Sequence, residues 1–99
     1  MITKLEKKFT DKDGFLCEQV KETPLGYMYK VTSPHGNVQY EVFKKFMLHK
    51  LDPVTKEKLP ELVEQYPKVR DFGFWAWYFQ SRGQARNKLN EIKAVSKPN

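Results

Sequence analysis

Six of the eight residues in Phe72-Gly73-Phe74-Trp75-Ala76-Trp77-Tyr78-Phe79 are aromatic, and both tryptophans of the chain fall among them. Eight residues fall short of the roughly 18 apolar positions that a membrane helix needs. Aromatic side chains suit a pleated surface better than a helix, so the block reads as a buried strand at the centre of the core. Strand geometry sets Phe72, Phe74, Ala76 and Tyr78 on one face and Gly73, Trp75, Trp77 and Phe79 on the other. Only one of these faces can lie under a helix. The other is core if residues 49–71 fold over it, and a stacking surface for bases if they do not.

A helix follows at once. Ser81 is its expected N-cap, and Ala85, Leu89 and Ile92 recur at spacings of four and three that turn them toward the sheet, although Gly83 weakens the first turn. Arg82, Arg86, Asn90, Lys93 and Lys97 follow a second stripe, which is either a solvated face or a surface for phosphates. The net charge of +6 is concentrated here, because residues 72–99 carry five Lys/Arg against one acid. Such a gradient attracts polyanions at long range.

The preceding chain reads as an antiparallel meander. Leu5, Lys7 and Phe9 alternate with Glu6 and Lys8, and Thr10-Asp11-Lys12-Asp13-Gly14 closes a turn into a strand over 15–21. After Thr23-Pro24-Leu25-Gly26, Tyr27, Tyr29 and Val31 line one side of a third strand, with Met28, Lys30 and Thr32 on the other. Ser33-Pro34-His35-Gly36-Asn37 turns into a fourth strand carrying Val38, Tyr40 and Val42. The period then changes across Phe43-Lys44-Lys45-Phe46-Met47-Leu48, as at a bulge or strand end. Residues 49–71 read as a long connection interrupted by Pro53, Pro60 and Pro67. Pro60 stands at the first position of a possible short helix near 60–66, which Tyr66-Pro67 would end. The expected fold is α+β: four to five antiparallel strands with a C-terminal helix packed on one face, in a single small domain over 1–99.

Catalytic signatures are missing from the sequence. His35 and His49 have no nucleophile or acid at triad spacing, and Cys17, His35 and His49 lack the paired spacing of a zinc site. Gly26, Gly36 and Gly73 build neither a P-loop nor a dinucleotide fingerprint. A lone cysteine and the lack of an apolar leader point to the reducing cytosol. The expectation is a protein that is not an enzyme, with no cofactor, no metal and no membrane partner.

Tyr40-Glu41-Val42-Phe43, Tyr66-Pro67, Asp71-Phe72-Gly73-Phe74-Trp75-Ala76-Trp77 and Ser81 with Ala85 and Leu89 form a pattern over about the last 60 residues. It resembles that of small, mostly uncharacterised proteins of bacteriophages and mobile elements. The resemblance implies a genomic setting and no activity. The aromatic strand followed by Ser-x-x-x-Ala-x-x-x-Leu is also similar in layout to sheet-plus-helix DNA-binding modules such as AP2 and WGR domains. The Trp-Gly-Arg triplet of the second is absent here.

Charge and layout together predict a nucleic-acid-binding accessory protein whose partner is DNA or RNA. Arg82, Arg86, Lys88 and Lys93 would neutralise phosphates, Lys44 and Lys45 would extend the patch, and Trp75 or Trp77 would stack on bases. The alternative is a protein-interaction or structural module, such as a small virion component or an inhibitor of a host protein, working through the aromatic face or a sheet edge.

Overall fold

A computed structural model describes residues 2–92. The described residues form eight strands: β1 (Ile2–Thr3), β2 (Lys8–Thr10), β3 (Leu16–Glu22), β4 (Gly26–Thr32), β5 (Val38–Lys44), β6 (Met47–Leu51), β7 (Lys58–Glu64) and β8 (Ala76–Phe79). A 3-10 turn covers Val69–Asp71, and helix α1 spans Arg82–Glu91. Five strands form one antiparallel sheet in the order β2-β3-β4-β5-β8, and β1, β7 and β6 form a second, three-stranded sheet in that order. The expected α+β fold with a C-terminal helix on one face of an antiparallel sheet is therefore observed.

Turn chemistry sets the meander. The Asp11 carboxylate accepts from the N–H groups of Asp13 and Phe15 at 2.9 and 3.0 Å, which closes the β2–β3 turn. Thr23 Oγ1 does the same for Leu25 and Gly26 between β3 and β4. The β4–β5 register pairs Tyr27 with Phe43, Met28 with Val42 and Tyr29 with Glu41, and the alternation read from the sequence holds. Met28 and Val42 meet Ala85, Leu89 and Ile92 on the helix side. Cys17, Tyr27, Tyr29, Val31, Phe43 and Ala76 are buried on the opposite side, with Leu5, Phe9, Tyr66 and Phe72 packed over them.

Two expectations about residues 49–71 and 72–79 require correction. Residues 60–64 belong to β7 and not to a short helix, so the supposed long connection is mostly a β6–β7 hairpin. Pro60 is tolerated because it falls in the irregular stretch of the β6–β7 register and before β1 begins to pair, at Leu62. A missing N–H costs no ladder bond there. The aromatic block, for its part, contributes the edge strand of the five-stranded sheet and not its centre. The fully buried rings belong to β4 and β5, because a strand paired on both sides and covered on both faces loses the most water.

The helix sits close to the sheet because residue 26 has no side chain. A Cβ there would lie 2.7 Å from the Phe43 carbonyl oxygen and 3.1–3.2 Å from Ile92 and Leu89. Gly26→Ala therefore destabilises the fold by about 1–3 kcal/mol in urea unfolding through overpacking. Gly83, with only the Ser81 hydroxyl within reach at 3.7 Å, behaves oppositely, and Gly83→Ala gains about 0.5 kcal/mol by removing backbone freedom from the first turn of α1. Equal effects at the two sites would refute this account of the packing.

Candidate nucleic-acid interface

The surface around β8 is shaped by the turn that precedes it. Asp71 organises this turn: its carboxylate accepts from Lys68 N–H at 2.8 Å, and its carbonyl accepts from Phe74 and Trp75 N–H at 3.1 and 3.3 Å. Gly73 adopts φ +94°, a left-handed conformation that L side chains resist, and donates its N–H to the Ala76 carbonyl at 2.7 Å. The turn breaks the strand alternation between Phe72 and Ala76, which corrects the expected arrangement of rings.

Trp75 and Trp77 consequently lie on opposite sides of the sheet. Trp75 packs against the Tyr29–Phe43 cluster, stacked on Phe46 at 4.9 Å and edge-on to Phe43. Trp77 packs under the helix, where Lys88 Nζ lies 4.1 Å from its ring centroid. That cation–π contact occupies one indole face. The open rings are two that the sequence reading did not assign to binding: Phe74 is 79% exposed and Tyr78 62%. The signal for Phe74 was present, since a glycine within an aromatic run marks a turn as readily as a strand.

The cations divide in the same way. Arg82 and Arg86 are exposed on α1 and make no ion pair among the described residues. They rise directly from the end of β8, with Ser81 Oγ accepting from Gln84 N–H to start the helix. Lys88 joins them, held over Trp77. Lys44 is half-buried at the end of β5, and its backbone N–H donates to the Trp75 carbonyl at 2.9 Å. Lys45 is committed elsewhere: its ammonium lies 2.7 Å from Glu22 Oε2 and 5.2 Å from the Tyr27 ring. Lys93, expected on the basic stripe, lies outside the described residues, as does Lys97. The structure thus gathers Arg82, Arg86, Lys88 and Trp77 at the β8–α1 corner, and directs Lys45 and Trp75 to other contacts.

Phe72 lines two clefts. A smaller one of about 310 Å³ follows the open edge of β8 between Phe72, Trp77, Tyr78 and Phe79. A larger one of about 660 Å³ lies between the β2–β3 turn and residues 66–72. The larger cleft contains Glu41, whose Oε1 accepts from the Tyr66 hydroxyl at 2.6 Å and whose Oε2 accepts from Gln39 Nε2 at 2.9 Å. Burial and the neighbouring Glu41 charge push the Tyr66 hydroxyl far above its ordinary range, so it remains a donor. Burial also pushes the Cys17 thiol up to about 11, with the charges of Glu41 and Asp11 acting in the same direction. A thiol so placed is a poor nucleophile.

Among the described residues, no three His, Cys, Asp or Glu side chains converge as a metal site, and no helix is long and apolar enough to cross a membrane. Comparison with protein-family models, curated proteins and solved structures yields no match for this chain.

The Glu22 cluster that takes up Lys45 has a measurable pH signature. Hydrogen bonds from Lys4 at 2.6 Å and Lys45 at 2.7 Å hold the Glu22 carboxyl below its ordinary value. The folded pKa lies below the unfolded value of about 4.3, so the cluster contributes stability above that pH and loses it as pH falls through the folded value. Glu22→Gln should lower the urea midpoint at pH 7, and the gap from the parent protein should close below about pH 4. A gap independent of pH would exclude the ion cluster as its source.

Proposed function

We propose that this protein is a non-enzymatic nucleic-acid-binding accessory protein, of the phage or mobile-element kind that its sequence resembles, acting in the cytosol. The observation that carries this reading is the exposure of two rings, Phe74 and Tyr78, within a few residues of the exposed cations Arg82 and Arg86 of α1, which make no ion pair among the described residues. Rings with free faces accept bases in any sequence, and guanidinium groups meet phosphates in bidentate fashion. The N-terminus of α1 adds a partial positive charge beside Arg82. Stacking is accordingly assigned to Phe74 and Tyr78 in place of Trp75 and Trp77, both of which have a ring face occupied by Phe46 or Lys88.

Anisotropy titration with labelled single-stranded and duplex oligonucleotides at 50 and 200 mM salt tests this reading. Affinity should fall steeply with salt, and the Arg82→Ala/Arg86→Ala double variant should reduce the single-strand log–log slope by about 1.4, or about 0.7 per lost contact. Tyr78→Ala should cost about 1–3 kcal/mol with single strands and little with duplex. No binding at 50 mM salt, or a double variant that binds like the parent, overturns it.

A second reading has its own observation. β8 is an unguarded edge: Ala76-Trp77-Tyr78-Phe79 contains no charge or proline, and an apolar cleft runs beside it. Such an edge accepts a strand from another chain, as in a virion component or an inhibitor of a host protein. Sedimentation that changes with protein concentration and persists at 1 M salt favours this role. A constant monomer mass at all concentrations excludes self-association through the edge.

A further inference from the structure

We infer that the cleft between the β2–β3 turn and residues 66–72 is a base-reading pocket for guanine, taken from a single strand that crosses the aromatic surface. This deepens the nucleic-acid reading and rests on it. The argument begins with Glu41. A carboxylate offers only acceptors, about two per oxygen. Tyr66 takes one position on Oε1 and Gln39 one on Oε2, which leaves one acceptor position on each oxygen. No cation is paired with Glu41 among the described residues.

The remaining acceptors call for a ligand with two adjacent N–H donors. On its Watson–Crick edge, guanine sets N1–H beside the N2 amino group. Adenine and cytosine set their amino group beside a ring nitrogen that is itself an acceptor, and uracil and thymine flank a single N–H with two carbonyls. Each of those edges would bring a lone pair against the carboxylate. Guanine alone matches both oxygens.

The walls and rim fit the rest of a nucleotide. Phe9 and Tyr66 meet edge to face at 5.3 Å beside the carboxylate, and Phe72 closes the far side, so a planar base is bounded by rings. Exposed Lys12, Lys68 and Arg70 line the mouth and form no ion pair among the described residues. They offset the nearby Asp11 and Asp13, and Asp11 is already turned to the backbone amides of Asp13 and Phe15. A neutral base with an anionic phosphate suits this polarity better than a cationic ligand. The volume of about 660 Å³ lies within the range of small-ligand sites. The path is continuous, because Phe72 lines both clefts and meets the Tyr78 ring at 5.9 Å.

The test uses free nucleotides, so that it does not depend on polymer binding. Guanosine 5′-monophosphate, added to the ¹⁵N,¹³C-labelled protein at 50 mM salt, should shift the resonances of Phe9, Tyr66 and Phe72. It should bind about tenfold or more tightly than adenosine 5′-monophosphate, the discrimination expected of a bidentate pair. Inosine 5′-monophosphate, which lacks the N2 amino group, should fall between them. Glu41→Gln keeps an acceptor for Tyr66 and should abolish the preference of the cleft for guanine over adenine nucleotides. The exposed pair Lys68→Ala/Arg70→Ala, which leaves the cleft floor untouched, should erase the advantage of the monophosphate over guanosine. Equal affinity for the guanine and adenine nucleotides, or no shifts in the cleft at millimolar nucleotide, overturns the pocket even if oligonucleotides bind. Selective guanine binding without any oligonucleotide binding would keep the pocket and reject the strand-binding reading.

Discussion

Glu64 joins the two sheets, and much of the molecule depends on it. It is the one charged residue buried among the described residues, at the end of β7, and its Oε1 accepts from the hydroxyl of Tyr27 in β4 and from the N–H of Leu5 at 3.1 Å. A buried carboxylate without donors would be strongly unfavourable, so its presence forces three distant segments to meet at one point. Burial and this carboxylate together push the Tyr27 hydroxyl far above its ordinary value and keep it as the donor. The contact ties the three-stranded sheet to the five-stranded one and delivers the chain at Tyr66 onto the open face of β4 and β5.

From there a chain of rings sets the outer surface. Tyr66 stands nearly perpendicular to Tyr29 and Phe9, at 5.2 and 5.3 Å, and packs on Phe43 at 4.9 Å. Residues 69–75 are thereby laid along the edge of the sheet, where Phe72 contacts Tyr78 and Trp75 lies on Phe46. The exposed rings, the β8 edge and the larger cleft are consequences of this one path. Polar groups follow it too: the hydroxyl of Tyr29 donates to the Glu6 carbonyl at 2.6 Å, and that of Tyr66 donates to Glu41. Buried tyrosines that retain partners add direction to a core that apolar packing alone would leave less specific.

Much of the fold was legible because its signals are local. Alternation in 27–32 and 38–42, Thr23-Pro24 and Ser33-Pro34 at the turns, and Ser81 with Ala85, Leu89 and Ile92 all act over a few residues, and each reappears in the structure. Residues 58–64 were misread because Pro60 followed by acids resembles a helix start. What makes them a strand is pairing with His49 and Met47 on one side and with Ile2 and Thr3 on the other, and β1 lies some 60 residues away in sequence. β1 itself, two residues long, has no pattern to read.

By itself, the sequence determined that the chain would form an antiparallel meander closed by a capped, basic helix, because period, turn residues and helix caps act through neighbouring positions. Its charge gradient likewise follows from the sequence alone, with residues 72–99 carrying five Lys/Arg against one acid. Tertiary structure alone decided which cations are engaged and which rings stay open: Lys45 is taken by Glu22, 23 residues earlier, and Trp77 by Lys88, while Arg82 and Arg86 have no ion-pair partner among the described residues. The same holds for Glu41, whose two half-used oxygens exist only because Tyr66 crosses the sheet to meet it. Availability for binding is what remains after internal partners are satisfied, and those partners are chosen by packing between distant segments.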